Sequence, residues 1–174
     1  LHQGTAIYSK CVYTSKTNAI TIYDALKIAK PGKVIVTLGI NAVYSYNSDS
    51  FYDNYARLIR KIKEATPNSI IIIGSVLPVT EGWAQSNGVS DCNNRVAYIN
   101  ENLSRLAAEE KCHFLFTYED FADKNGFLLE KYSGDGIHLS SKGYEALFNY
   151  ILTHTVDSSG AFTRVGAVRP PVTQ

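Results

Sequence analysis

The sequence predicts an α/β fold with a parallel sheet, and three observations carry that reading. Three apolar runs, 33–38, 69–73 and 112–117, are near-continuous rather than alternating, the mark of strands buried on both faces. Helical patterns at 20–29, 50–65 and 94–109 alternate with them, and a fourth follows at 141–153. The chain has 174 residues, the length of one domain. Strand–helix alternation over that length builds helices layered on a parallel sheet.

Each element has a local cause. Residues 5–13 read either as a strand or as an extended surface segment. Over 20–29, Ile20, Ile22, Tyr23, Leu26 and Ile28 recur at helical spacing, and Pro31 stops the helix. The 33–38 run is β-branched and lies between Pro31-Gly32 and Gly39. Phe51, Tyr55, Leu58, Ile59 and Ile62 make the apolar stripe of 50–65. Four consecutive isoleucines form the next strand, closed by Gly74. Val96, Ile99, Leu103 and Leu106 mark the helix over 94–109. The last helix carries Tyr144, Leu147, Tyr150 and Ile151, with Ser140 or Ser141 as its N-cap. Residues 155–174 lose periodicity and hold Ser158-Ser159-Gly160 and Pro170-Pro171. They read as a tail or linker, leaving a domain over 1–154.

Composition excludes several classes. Hydrophobic residues at 45% and charged residues at 19% rule out a disordered or collagenous chain. No run approaches the ~18 apolar residues of a membrane-spanning helix. Seventeen basic against sixteen acidic residues leave a net charge of +1, which gives no footprint for nucleic acid. Cys11, Cys92 and Cys112 are too far apart to suggest a zinc site. Three thiols, or one disulfide with a free thiol, both fit; three buried thiols is the plainer reading. The chain begins at Leu1 and has no methionine, so an upstream part is expected.

In parallel α/β sheets ligands sit beyond the carboxyl ends of the strands. Two segments there can do chemistry. Gly39-Ile40-Asn41 follows the first buried strand: the glycine permits a tight turn and the asparagine offers an uncharged amide donor. Ser133-Gly134-Asp135-Gly136-Ile137-His138 precedes the last helix. Asp135 and His138, three apart in a glycine-flanked turn, can set a carboxylate against one imidazole nitrogen and leave the other as a base. The same two residues also suit a turn cap and a packed histidine.

Together these motifs resemble the SGNH hydrolase superfamily, the GDSL-type esterases. Val34-Ile35-Val36-Thr37-Leu38-Gly39-Ile40-Asn41 is similar to its third sequence block, and Asp135-Gly136-Ile137-His138-Leu139 to its last. Ile71-Ile72-Ile73-Gly74-Ser75-Val76-Leu77-Pro78-Val79 resembles the strand and proline-bearing loop between them. Tyr98-Ile99-Asn100-Glu101-Asn102-Leu103 resembles the helix that follows. The likeness covers roughly residues 20–153.

The resemblance implies a three-layer α/β/α, flavodoxin-like fold and a serine esterase that needs no metal or organic cofactor. It assigns His138 as base, Asp135 as its orienting carboxylate and Asn41 as an oxyanion donor. Gly4, the one glycine before Gly32, takes the second-block role, with His2 as a neighbour of the site. Here Asn41-Ala42 stands where the family usually has Asn-Asp, which alters the support of the turn. No Gly-Asp-Ser occurs in the chain, so the first central strand and its serine are expected upstream of Leu1, on the same or a second chain. Ser75 is the one in-chain substitute to test, and it is expected to fail.

The implied substrate is a small-molecule or carbohydrate ester with a short acyl or acetyl group. Tyr44, Tyr46, Trp83 and Tyr132 are candidate pocket walls, with loop packing as the alternative for each. An extracellular or cell-envelope setting is expected over a cytoplasmic one. Two other readings compete: a catalytically inactive SGNH-fold binding or adaptor domain, and an unrelated flavodoxin-like phosphate or nucleotide binder. Against the latter, no glycine-rich loop follows any strand.

Overall fold

The computed structural model describes Ile7, residues 10–15, 18–43, 48–89, 91–154 and Val156. Its first elements are β1 (Lys10–Ser15), β2 (Asn18–Thr21), α1 (Ile22–Ala29) and β3 (Lys33–Val36). A 3-10 turn (Ile40–Val43), α2 (Ser48–Ala65), β4 (Ile70–Gly74), α3 (Glu81–Ser86) and α4 (Cys92–Glu109) follow. The chain continues through β5 (His113–Leu115), α5 (Tyr118–Phe121), a 3-10 turn (Glu130–Tyr132) and α6 (Ser141–Thr153).

β3, β4 and β5 form a parallel sheet in that spatial order, with Val34 opposite Ile71 and Ile73 opposite Phe114. The isoleucine run of β4 shows why the domain has three layers. Successive strand side chains point to opposite faces. Ile71 and Ile73 join Leu58, Ile59, Val96 and Leu103 in the core under α2 and α4. Ile72 points the other way, to Leu115, Val156 and the α6 residues Tyr150 and Ile151. Truncating a buried isoleucine such as Ile73 to alanine costs about 2–5 kcal/mol. Val156 is 1% exposed and belongs to this second cluster.

The structure departs from expectation in three places. Of the two readings left open for 5–13, strand or extended surface segment, a strand forms, but at Lys10–Ser15, and it pairs antiparallel with β2, apart from the parallel sheet. The helix expected from residue 20 starts at Ile22, because 18–21 belong to β2 and the Thr21 side chain accepts the Asp24 N–H at 3.1 Å as an N-cap. Two short helices, α3 and α5, arise where the sequence pattern shows no period. Ser140, rather than Ser141, caps α6 by accepting the Gly143 N–H at 3.3 Å.

The outer edge of β3 is the feature that matters for the site. Among the described residues β3 is paired with β4 on one side and with no strand on the other. An apolar cavity of about 240 Å³ runs beside it, lined by Ile7, Leu26, Val34, Val36, Leu58 and Ile62. Among the described residues no helix is long and apolar enough to cross a membrane. Cys92 and Cys112 are free thiols.

Candidate active site

Two loops that leave the carboxyl ends of β3 and β4 meet a third, just before α6, at one cleft. The first is the turn after β3. Gly39 has φ +135°, a backbone region that side chains rarely enter, and a Cβ there would lie 2.7 Å from Val76 Cγ2. Glycine is therefore required on both counts. The chain then closes a short 3-10 turn with the Ala42 N–H donating to the Gly39 carbonyl at 2.9 Å. Val43 is fully buried, and Arg95 Nη1 donates to its carbonyl at 3.1 Å. Between these fixed ends Asn41 is exposed, and among the described residues nothing hydrogen-bonds its side-chain amide.

The second loop follows β4. Ser75 is 4% exposed. Its hydroxyl lies 2.9 Å from Thr117 Oγ1 and accepts the Thr117 N–H at 3.0 Å, which ties the ends of β4 and β5 together. Asn100 on α4 holds the next residue through both main-chain groups: Val76 N–H donates to Oδ1 at 2.7 Å, and Nδ2 donates to the Val76 carbonyl at 2.9 Å.

The third loop carries Asp135 and His138. Asp135 Oδ1 accepts the backbone N–H of His138 at 2.7 Å and of Ile137 at 3.0 Å. Asp135 Oδ2 lies 2.6 Å from His138 Nδ1. Ser133 closes the loop from below: its hydroxyl donates to the His138 carbonyl at 2.7 Å and accepts the Gly136 N–H at 2.8 Å. Gly136 has φ +87°, and a Cβ on it would lie 2.5 Å from Trp83 Cβ. The Thr80 N–H donates to its carbonyl at 2.8 Å, so the loop is clamped onto the start of α3.

These contacts set the electrostatics. The His138 backbone N–H, then its ring, then the Ile137 N–H stabilise the ionised carboxyl and hold Asp135 well below the ordinary carboxylate range. A carboxylate fixed on Nδ1 makes Nε2 the free nitrogen, and among the described residues Nε2 has no hydrogen-bond partner. An imidazole in this state can accept a proton at Nε2 and is stabilised when it becomes cationic.

His138 opens into an apolar cleft of about 130 Å³, shared with Gly39, Ile40, Val76, Leu77 and Tyr144. The turn that carries Asn41 and the loop that carries His138 therefore face one space. A larger hollow of about 540 Å³ lies at the opposite end of the sheet, where Lys63 and Glu110 hold each other at 3.0 Å. Its lining includes His113, whose imidazole burial pushes below the ordinary histidine value. Among the described residues no group of three His, Cys, Asp or Glu side chains could hold a metal ion.

The other sequence candidates are placed as follows. Trp83 packs against Gly136, and Tyr132 meets Phe121 in a tilted pair with ring centroids 5.0 Å apart, so both take part in loop packing. Gly4, His2, Tyr44 and Tyr46 lie outside the described residues. Sequence reasoning quoted Ser133 and Asn100 within its motifs without giving either a role, and it did not name Thr80. Ser133 could have been found as a hydroxyl two residues before Asp135 in a glycine-rich turn.

The GDSL-like Lipase/Acylhydrolase family model matches residues 9–146. An isoamyl acetate-hydrolyzing esterase of Saccharomyces cerevisiae is 28% identical over 128 residues, spanning 67% of this chain and 53% of the yeast protein. The chain thus spans about half the length of that relative. A solved GDSL-like lipase of Bacteroides thetaiotaomicron is similar with a TM-score of 0.58 and 25% identity, over 71% of this chain and 61% of the other. A Streptococcus pneumonia protein described as a platelet activating factor gives a TM-score of 0.63 at 23% identity, over 75% and 66% of the two chains, a likeness of fold. With a match that extends from β1 into α6, the chain belongs to the GDSL-like lipase/acylhydrolase family.

Proposed function

We propose that this chain is the acid–base and oxyanion half of a serine esterase that hydrolyses short-chain or acetyl esters. The single observation that carries the reading is the 2.6 Å contact of His138 Nδ1 with Asp135, with Nε2 left free at the cleft it shares with the Asn41 turn. The yeast relative, named for hydrolysis of an acetate ester, supports the same reaction class.

In this mechanism His138 Nε2 takes the proton of a serine hydroxyl as its oxygen attacks the ester carbonyl. Asp135 stabilises the resulting imidazolium. The Asn41 amide and the Gly4 N–H donate to the oxyanion of the tetrahedral intermediate. His138 then returns the proton to the leaving alcohol, and water repeats the sequence on the acyl-enzyme. A small alcohol or a carbohydrate hydroxyl serves equally as the alcohol part.

The serine comes from a segment outside residues 1–174, on the same molecule or a second chain. Its natural seat is the outer edge of β3, which pairs with no strand among the described residues; an added parallel strand there would fill the apolar cavity and end beside Gly39. The test is turnover of p-nitrophenyl acetate by the full-length protein, together with labelling by a fluorophosphonate. Hydrolysis that disappears with His138→Ala is expected. A full-length protein that neither turns over nor labels supports the second reading, a non-catalytic binding domain. The observation behind that reading is that, among the described residues, no hydroxyl is hydrogen-bonded to His138 Nε2.

A further inference from the structure

We infer that Asn100 is a positioning residue for the turn that carries Asn41, acting through Val76; this rests on the esterase reading of the site. Asn100 is an unusual occupant of its position. It lies inside α4, is 4% exposed, and falls among the helix's buried apolar residues Val96, Ile99 and Leu103. Asparagine favours neither a helix interior nor an apolar core unless its amide is satisfied.

Among the described residues the amide is satisfied by Val76 alone. It accepts the Val76 N–H at 2.7 Å and donates to the Val76 carbonyl at 2.9 Å. β4 has ended two residues earlier, at Gly74, so these two bonds continue the ladder on a loop that would otherwise lose it. On the other side the Ser75 N–H donates to the Leu115 carbonyl at 2.9 Å. Val76 is thereby fixed in place, and its side chain is 5% exposed.

Val76 is also what the Asn41 turn rests on. Its Cγ2 fills the space a side chain on Gly39 would need, with the Phe51 ring on the same glycine at 3.4 Å. The far end of the turn is held from the same helix, by Arg95 on the Val43 carbonyl. α4 therefore sets both ends of the turn: Arg95 directly, and Asn100 through Val76. A donor misplaced by about 1 Å can cost about 10²-fold in rate, so a fixed seat for this turn bears directly on the oxyanion.

The test uses the full-length protein and two variants. Asn100→Ala removes both bonds, and Val76→Ala removes the wedge while leaving the main-chain bonds. Each is expected to lower kcat for p-nitrophenyl acetate by about 10-fold or more with KM within twofold. Neither should lower kcat further in an Asn41→Ala background. Equal falls in both backgrounds, or a fall in KM-dependent binding alone, would overturn the inference. A readout without turnover separates it from the esterase reading. In NMR spectra of the variants the Gly39 to Val43 amides and the Asn41 side-chain amide should shift, while those of Ser133 to His138 stay. Unmoved Gly39 and Asn41 resonances would refute the positioning role even in an active enzyme; shifted resonances in a protein without turnover would leave it standing and remove the esterase.

Discussion

Asp135 grips His138 at two points, through the ring at Nδ1 (2.6 Å) and through the backbone N–H (2.7 Å). One carboxylate thus fixes both the tautomer of the imidazole and the loop from which it projects. Both side chains are more than half exposed, so the arrangement is held by this local network rather than by burial.

That network predicts unequal losses for its two members. His138→Ala removes the base and should abolish turnover of p-nitrophenyl acetate by the full-length protein, with circular dichroism unchanged, because the ring is exposed. Asp135→Asn keeps an acceptor for the backbone but loses the carboxylate at Nδ1, and kcat should fall by about 10⁴-fold. Wild-type kcat in either variant would remove His138 from the mechanism.

The carboxyl also makes a pH prediction. Its folded value lies below the ordinary 3.8, held there by the His138 N–H, the His138 ring and the Ile137 N–H. A depressed carboxyl contributes stability that is present above its unfolded value and is lost as pH falls through the folded one. The thermal stability of wild type relative to Asp135→Asn should therefore hold steady down to about pH 4 and narrow only below it. A ¹³C titration should give Asp135 a midpoint under 3.8. A midpoint at or above that value would mean that the three donors do not persist in solution.

Asn41 is expected to act on rate alone. Its amide is exposed and, among the described residues, makes no bond that the fold requires. Asn41→Ala should lower kcat by about 10²–10³-fold, the effect of losing one oxyanion donor, with KM and Tm little changed. A large rise in KM with kcat intact would assign Asn41 to ground-state binding instead.

These residues also show where the sequence was readable and where it was not. β3, β4 and β5 were legible because buried parallel strands are apolar without interruption, and the isoleucine run declared itself. Asp135 and His138 were legible because a three-residue contact is written in local spacing. The β5 run ended early, since Thr117 turns away to bond Ser75. That contact spans 42 residues, and the Asn100–Val76 clamp spans 24. Neither leaves a periodic trace, so both had to be seen in three dimensions. The short helix α3 had a signal that was passed over: Thr80 stands three residues before Trp83, whose N–H its hydroxyl accepts at 3.3 Å.

Ser75 offers a clean distinction between a structural and a reactive hydroxyl. It lines the cleft that His138 opens into, but it is buried and engaged with Thr117, and among the described residues no base is hydrogen-bonded to its hydroxyl. Ser75→Ala should leave the Thr117 N–H without its partner and cost about 1–3 kcal/mol in urea unfolding. Fluorophosphonate labelling of the full-length protein should persist. Loss of the label with stability unchanged would make Ser75 the nucleophile.

The outer edge of β3 carries the remaining prediction. In a parallel ladder alternate residues turn their N–H and C=O groups to opposite sides, so half of those in β3 face away from β4. Val36 is 6% exposed, and the cavity beside the strand is apolar, so groups on that edge gain little from water. Each buried and unpaired group costs about 1–3 kcal/mol, a large share of a net stability near 5–15 kcal/mol. A strand from the segment that supplies the serine would satisfy the row. In hydrogen exchange on the full-length protein, the outward amides of β3 should then be protected as strongly as those of β4. Crosslinks should join that segment to the lining residues Val34 and Leu26. Outward β3 amides that exchange as fast as an exposed edge, in a protein that still hydrolyses esters, would place the serine on some other element and leave this edge bare.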